Sequence, residues 1–245
     1  MKKAFALIIA CVLCFCAASA LAADYVIGTD NPFKPFEWIN EKGELVGIDI
    51  DLLNAIAADQ GFTVEWAAVG WDGAIAGCQA GQYDGMIAGA SITDARKESG
   101  WIFSDGYYIA SQSMAVSADS AIGGFADLQG KIVVAKIGTE SAAYASQLQA
   151  EYGFTLTTME DDATMYQAIV GGQADAVFND TPILNANIAA GVPLKIVEGT
   201  ENEGSQYGFA VFSAEKQELV DKFNAGLANV KQSGVYDEIM AKYFN

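Results

Sequence analysis

Apolar and polar positions change rhythm twice along this chain. Ala4 to Ala18 is almost wholly apolar, and from Tyr25 onward short apolar runs alternate with amphipathic stripes. Tyr25–Gly28, Thr63–Trp66, Asp84–Ala88, Lys131–Ala135 and Ala174–Phe178 are short runs rich in apolar and β-branched residues, which predict strands. Between them, Ile48, Leu52, Leu53 and Ile56 share a helical spacing, which predicts a helix over Asp49–Gln60 stopped by Gly61. Asp72 is expected to cap a helix that runs to Ala80 and stops at Gly81. Ser141–Glu151 and Ala163–Val170 read as helices, and Pro182 suits a first helical turn. Leu219, Val220, Phe223, Leu227 and Val230 form a last stripe, ended by Gly234. Repeated strand–helix units predict an α/β protein with largely parallel sheets. Gly81-Gln-Tyr-Asp84-Gly-Met-Ile-Ala88 is echoed by Gly172-Gln-Ala-Asp175-Ala-Val-Phe-Asn179, which points to two similar lobes.

The leading apolar run changes the arithmetic of everything after it. Met1-Lys2-Lys3, the run itself and the small residues of Ala20-Leu21-Ala22 describe a secretory signal peptide over residues 1–22, cut near Ala22/Ala23. The run is short for a membrane span of ~20 residues. Ile8-Ile9-Ala10-Cys11 loosely resembles a lipoprotein cleavage site, but a cut there would leave an apolar Val12–Ala22 tail. Cleavage near Ala22 removes Cys11, Cys14 and Cys16, so Cys78 remains without an internal disulfide partner and reads as a buried structural thiol. The whole chain has 13 Lys+Arg against 31 Asp+Glu, a net charge of −18; without Lys2 and Lys3 it is 11 − 31 = −20. That balance argues against a nucleic-acid partner. The 52% hydrophobic content with 18% charged residues describes a well-cored globular protein. The chain has no histidine, which excludes a Ser-His-Asp triad, a Cys-His pair and a His-ligated metal.

Ligands of open α/β sheets bind beyond the carboxyl ends of strands, so the polar clusters there carry the candidate chemistry. They are Thr29-Asp30 to Phe33, Gly70-Trp71-Asp72, Ala88-Gly89-Ala90-Ser91 to Arg96, and Lys136-Ile-Gly138-Thr139-Glu140 with Asn179-Asp180. Gly89 leaves backbone N–H groups open, Ser91 adds a hydroxyl, and Arg96 supplies a planar fork suited to a carboxylate. Gly138-Thr139 leads into a helix N-terminus that favours an anion, Asp180 is a lone carboxylate fit for an ammonium, and Phe33 and Trp71 are flat walls. Together they describe a site for a small zwitterion. Each residue also has a plainer reading. Arg96 fits a surface ion pair with Asp94 or Glu98, Asp72 and Asp180 fit helix caps, Phe33 and Trp71 fit core positions, and Lys136 fits a solvated lysine.

The segments GTDNPFKPFEW, LVGIDIDLLNAIA, AGASITDARKESGWIFSDGYY, GKIVVAKIGTESAAYA, GQADAVFNDTPI, YGFAV and SGVYDEIMAKYF resemble the bacterial extracellular solute-binding proteins of the polar amino-acid uptake family. The resemblance spans residues 24–245 and implies the two-lobed periplasmic-binding-protein fold of type II, each lobe a mostly parallel sheet flanked by helices. Lobe one would hold residues 23–110 and 207–245, and lobe two residues 111–206. Crossing strands would fall near Ile109–Val116 and Ser205–Val211. It further implies a monomer in the periplasm, with no cofactor and no metal, which delivers an amino acid to a membrane ABC permease. By position, Arg96 matches the arginine on the ligand α-carboxylate, with Gly89 and Ser91 as its partners. Asp180 matches the acid on the α-ammonium, and Thr139 and Glu140 match the loop reaching the carboxylate side. Phe33 and Trp71 match the aromatic walls, Asp30 an acid near the side-chain end, and Lys136 a lysine of glutamine-binding members. Lys136 would repel a cationic side chain and, with Asp30, would suit an amide, so glutamine is the first expected ligand. Asn179 and Glu140 depart from the glutamine-binding pattern, which has His and Gly there. Periplasmic cyclohexadienyl dehydratases share the fold and form the enzyme alternative; a sensor module ahead of a membrane kinase is a third reading.

Overall fold

The computed structural model describes residues 22–244; the expected signal segment, with Cys11, Cys14 and Cys16, lies outside the described residues. In chain order, β1 (Tyr25–Thr29), β2 (Pro32–Phe33), β3 (Glu37–Ile39), β4 (Leu45–Val46), α1 (Ile48–Gln60), β5 (Val64–Ala68), α2 (Trp71–Gln79), β6 (Gly85–Met86), α3 (Asp94–Glu98) and β7 (Ile102–Phe103) lead to a crossing strand, β8 (Tyr108–Ala110). Then come β9 (Gln112–Ser117), β10 (Ile132–Lys136), α4 (Glu140–Tyr152), β11 (Thr155–Met159), α5 (Asp162–Val170), β12 (Ala176–Asp180), α6 (Thr181–Ala189) and β13 (Leu194–Ile196). The chain returns through β14 (Ser205–Tyr207) to β15 (Ala210–Val211), α7 (Gln217–Ser233) and α8 (Val235–Phe244).

Two five-stranded sheets, β5-β1-β6-β15-β7 and β11-β10-β12-β9-β13, form the centres of two lobes. They share one plan. β1 runs parallel to β5 and β6, while β15 lies antiparallel between β6 and β7. Likewise β10 runs parallel to β11 and β12, while β9 lies antiparallel between β12 and β13. The sheets are therefore mixed, four strands one way and one reversed, and the reversed strand is the one that follows a crossing from the other lobe. β8 and β14 pair as an antiparallel ribbon between the lobes, from Tyr108↔Tyr207 to Ala110↔Ser205.

Burial on both faces of a sheet explains the apolar strand runs. In β10, Val133 and Ala135 join the core beneath α4 with Phe178, whereas Val134 joins the opposite core with Val177, Met165 and Leu184. In the first lobe α1 and α7 pack together over Ile27, Ile56, Phe209 and Phe223. Gly61 ends α1 in the left-handed conformation at φ 71°, and its N–H donates to the Ala57 carbonyl.

Several expected boundaries shift. β5 and β12 start and end one to two residues later than the runs suggested, so Asp180 is the last strand residue itself. β6 is confined to Gly85–Met86 because Asp84 turns aside, where its carboxylate accepts the Val26 N–H at 2.7 Å. Asp72 is not a cap: Gly70 at φ 82° occupies that position, and Asp72 sits in the first turn of α2. Cys78 is buried as expected, and burial, then Asp84, pushes its thiol pKa up to about 12. Among the described residues, no helix is long and apolar enough to cross a membrane.

Candidate binding cleft between the lobes

Arg96 is placed by its surroundings and not by its helix neighbours. Its guanidinium carbon lies 5.1 Å from the ring centres of both Trp71 and Trp101, which are themselves 6.2 Å apart, so the cation rests against a pair of adjacent indoles. Nη1 donates to the Ser91 carbonyl at 2.8 Å, and Nη2 reaches the other lobe, donating to the Gly138 carbonyl at 3.2 Å. The surface pairing open to it in sequence does not form: Asp94 pairs with Lys97 instead, at 3.2 Å. Burial pulls the pKa of Arg96 below the ordinary arginine value, opposed by Glu140, Asp180 and Tyr207.

Gly89 corrects an expectation. Its N–H is not open, because it donates to Asp49 Oδ2 at 2.9 Å, and the Tyr107 hydroxyl donates to the same oxygen at 2.8 Å. Asp49 is fully buried beside Glu37, whose two carboxyl oxygens have no hydrogen-bond partner. Burial, partly offset by the bonds from Gly89 and Tyr107, raises Asp49 to about 6. Burial and then the charge of Asp49 raise Glu37 well above the ordinary glutamate range.

Lys136 is buried, contrary to the solvated reading, and donates to Asp30 Oδ2 across the gap between the lobes. Burial works against its ammonium, yet Asp30 and then Asp162 outweigh it, and its pKa lies above the ordinary lysine value. Thr139 caps α4: its hydroxyl oxygen accepts the Ala142 N–H at 3.2 Å and donates to the Lys136 carbonyl at 2.7 Å, so it is already engaged. Asp180 stands at the capping position of α6 without a side-chain cap bond. Its Oδ1 accepts from Gln112 Nε2 at 3.0 Å and Ser141 Oγ at 2.8 Å, and its Oδ2 accepts from the Tyr207 hydroxyl. Burial raises the Asp180 pKa, held back by Tyr207, Ser141, Gln112 and Arg96. Asn179 is turned inward, with its amide donating to the Tyr166 hydroxyl at 2.8 Å.

All ten candidates meet. Asp30, Phe33, Trp71, Gly89, Ser91, Arg96, Lys136, Thr139, Glu140 and Asp180, with Ala88 and Asn179, line one cavity of ≈ 20 Å³ between the lobes. That volume suits about one water, so a larger guest requires the lobes or side chains to give way. A second crevice of ≈ 330 Å³ shares Asp30, Trp71 and Lys136 with it. Larger hollows of ≈ 520 Å³ behind the crossing strands and ≈ 620 Å³ beside α5 and α6 are lined by no charged side chain. Trp101, Tyr207, Asp49 and Asp162 line none of the cavity where the candidates meet but act on residues that do, Arg96, Asp180, Gly89 and Lys136 respectively, and were not foreseen. Among the described residues, no group of three or more acidic or Cys side chains is arranged to hold a metal.

Two sheets of one plan, two crossing strands and charged groups converging between the lobes define a two-lobed ligand-binding protein of type II. Residues 25–245 match the bacterial extracellular solute-binding proteins, family 3, and the chain belongs to that family. A probable histidine-binding protein of Neisseria gonorrhoeae is 30% identical over 260 residues, covering 100% of this chain and 96% of the relative. An ancestral arginine-binding protein, solved with arginine, is 34% identical with a TM-score of 0.83, covering 90% of this chain and 98% of that one; the same protein solved with glutamine gives 0.82. The second substrate-binding domain of Lactococcus lactis GlnP, solved open, is 40% identical but has a TM-score of 0.62, covering 89% and 94%. Higher identity with a lower score against an open structure accords with the cross-lobe contacts here, which hold the lobes together.

Proposed function

We propose that this protein captures a polar amino acid between its lobes in the periplasm and delivers it to a membrane ABC permease, as a binding protein without chemical turnover. The observation that carries the reading is the convergence of one indole-backed arginine and one buried carboxylate, from opposite lobes, on a single cavity. In this reading Arg96 takes the α-carboxylate with Ser91 beside it, Asp180 takes the α-ammonium, and Phe33 and Trp71 enclose the side chain. Thr139 and Glu140 close from lobe two, and Gly89 shapes the loop that Asp49 anchors. Lys136 and Asp30 form a net-neutral pair at the side-chain end, which suits an amide that accepts from one and donates to the other. Glutamine is therefore the first ligand proposed. We place lobe one at residues 23–110 and 207–245, lobe two at 111–206, and read the chain as a monomer released by cleavage near Ala22. Calorimetry of the mature protein against all common amino acids tests this. Saturable binding with glutamine strongest is expected; no heat with any of them overturns it. An aromatic product from prephenate or arogenate would overturn the absence of turnover.

A further inference from the structure

Asp162, the first residue of α5, is 3% exposed and neither of its carboxyl oxygens has a partner at hydrogen-bonding geometry. The Asn179 amide is the donor that comes nearest to it, and a buried carboxylate so weakly supported is costly, which makes it a candidate for another use. Its helix does not need it as a cap, since Asp161 accepts the Thr164 N–H at 2.8 Å. Register brings its segment to the cleft: Met159, three residues earlier, pairs with Lys136, and α5 packs against β2, the strand that carries Phe33. After Asp30, Asp162 is the strongest acidic influence on Lys136. Lys136 therefore stands among three buried acids, Asp30, Asp162 and Glu37, and is bonded to one. The adjoining crevice is acidic as well, lined by Asp30, Asp72, Glu160 and Asp161 against the single cation Lys136.

Resting on the proposed amino-acid site, we propose that Asp162 sets the charge of the ligand side chain. Ionised, it draws the Lys136 ammonium off Asp30, which then receives a cationic side chain; protonated, it leaves the Asp30–Lys136 pair intact for a neutral amide. No covalent step is involved, only one proton taken up or released by Asp162. The charged and titratable groups that face it are Lys136 on β10, Asp30 after β1, Asp180 on β12 and Tyr166 on α5 itself, with the Asn179 amide close by. Burial raises Asp162 to about 7, against the pull of Lys136 and Asn179 and with the push of Asp30 and Asp180. The exchange thus falls where ordinary buffers reach.

The test is calorimetric affinity for arginine and for glutamine across about pH 5.5 to 8.5, expressed as their ratio. Asp49 acts on the Gly89 loop, which both ligands would share, and cancels in that ratio; Glu37 also acts on Lys136 and Asp30, so Glu37→Gln is run alongside, and a slope lost in it but kept in Asp162→Asn overturns the proposal. Arginine is expected to gain on glutamine by about tenfold or more as pH rises, and Asp162→Asn is expected to flatten the ratio at its acid value. A flat ratio in the unaltered protein overturns the proposal, whatever the variant does. An equal slope in a folded Asp162→Asn protein overturns it too. If neither amino acid binds the unaltered protein, the underlying reading of the site fails, and the proposal with it; binding of both with no pH-dependent exchange removes the proposal alone.

Discussion

The two faces of the cleft are built differently. On the first lobe most polar groups are fixed from within: Arg96 rests against Trp71 and Trp101 and is tied to the Ser91 carbonyl, with one further bond across the gap to the Gly138 carbonyl, and the Gly89 N–H is tied to Asp49. On the second lobe the charges are satisfied largely across the gap or at the crossing strands: Lys136 by Asp30, and Asp180 in part by Tyr207 of β14. If the lobes parted, the first face would keep its indoles, the Ser91 carbonyl and Asp49 as a seat, and would give up only the Arg96–Gly138 bond and the Asp30–Lys136 pair. The other loses partners when they part, and must exchange them for water or for ligand. In the proposed reading an amino acid is expected to dock first on the Arg96 face and to draw the second lobe onto it through contacts made only on closure.

Removing the seat is the largest expected break in that comparison. Arg96→Ala should cost about 2–5 kcal/mol of amino-acid affinity, the range for truncating one side of a buried charge pair. Arg96→Lys should recover little, because an ammonium cannot fork onto a carboxylate. Titration calorimetry with circular dichroism as a fold check reads both. An affinity within about threefold of the unaltered protein would mean that the first lobe is not the seat.

The buried acids give the next largest effect, on stability. Burial chiefly raises Glu37, Asp49 (to about 6) and Asp162 (to about 7), and in the unfolded chain they ionise near 4.5, 3.8 and 3.8. Between ~pH 4 and ~pH 7 the folded protein thus holds more protons than the unfolded chain, so stability falls as pH rises through that window. Above the folded pKa values the loss is complete. Ligand-free protein should be more stable near pH 5 than near pH 7.5, by on the order of 2 kcal/mol, in urea melts at the two pH values. Mutual repulsion of the acidic surface acts with the same sign, so Glu37→Gln and Asp162→Asn separate the terms: each should shrink the difference. A difference unchanged in both variants would assign it to the surface.

The elements that the sequence shows clearly are those set by local chemistry. The apolar stripe of α1 and the left-handed Gly61 behind it are both short-range, and so are Thr139 and Pro182 at their helix starts. Asp72 was misread because Gly70, already at φ 82°, takes the position a cap needs. The ten candidates that meet at the cavity could be grouped from sequence because most lie in clusters just beyond strand ends, and the family resemblance implied roles for them. Asp49, Trp101, Tyr207 and Asp162 stayed hidden for the opposite reason. Asp49 looks like an ordinary first-turn acid until Gly89 and Tyr107, 40 and 58 residues away, close over it. Trp101 has no local signal: its role shows only where the Arg96 guanidinium rests against it and Trp71. Such roles belong to long-range packing, and no local pattern encodes them.

Trp101 offers a smaller and sharper test of the seat. It lies outside the cavity lining but stacks on Phe103 at 5.5 Å and flanks the Arg96 guanidinium. Trp101→Leu keeps an apolar wall and removes the π face, so affinity should fall by about 1 kcal/mol, roughly fivefold. The loss should vanish in an Arg96→Ala background, since the indole acts through the arginine. An equal loss in both backgrounds would show that Trp101 matters only as packing.

The smallest expected effect concerns the acids that flank Arg96 in sequence. Asp94 is exposed, pairs with Lys97 at 3.2 Å and leaves Arg96 to its indoles and carbonyls. An exposed pair three residues apart on a helix contributes only about 0.3–0.5 kcal/mol and holds no third group in place. The Thr93 hydroxyl, which accepts the Arg96 N–H at 3.3 Å, caps α3 without help from Asp94. Asp94→Asn should therefore leave amino-acid affinity within about twofold and lower stability by no more than about 0.5 kcal/mol, by calorimetry and urea melts. A tenfold loss of affinity would mean that α3 aims the guanidinium through its own charges, and the first lobe would then be a seat held by its surface rather than by its core.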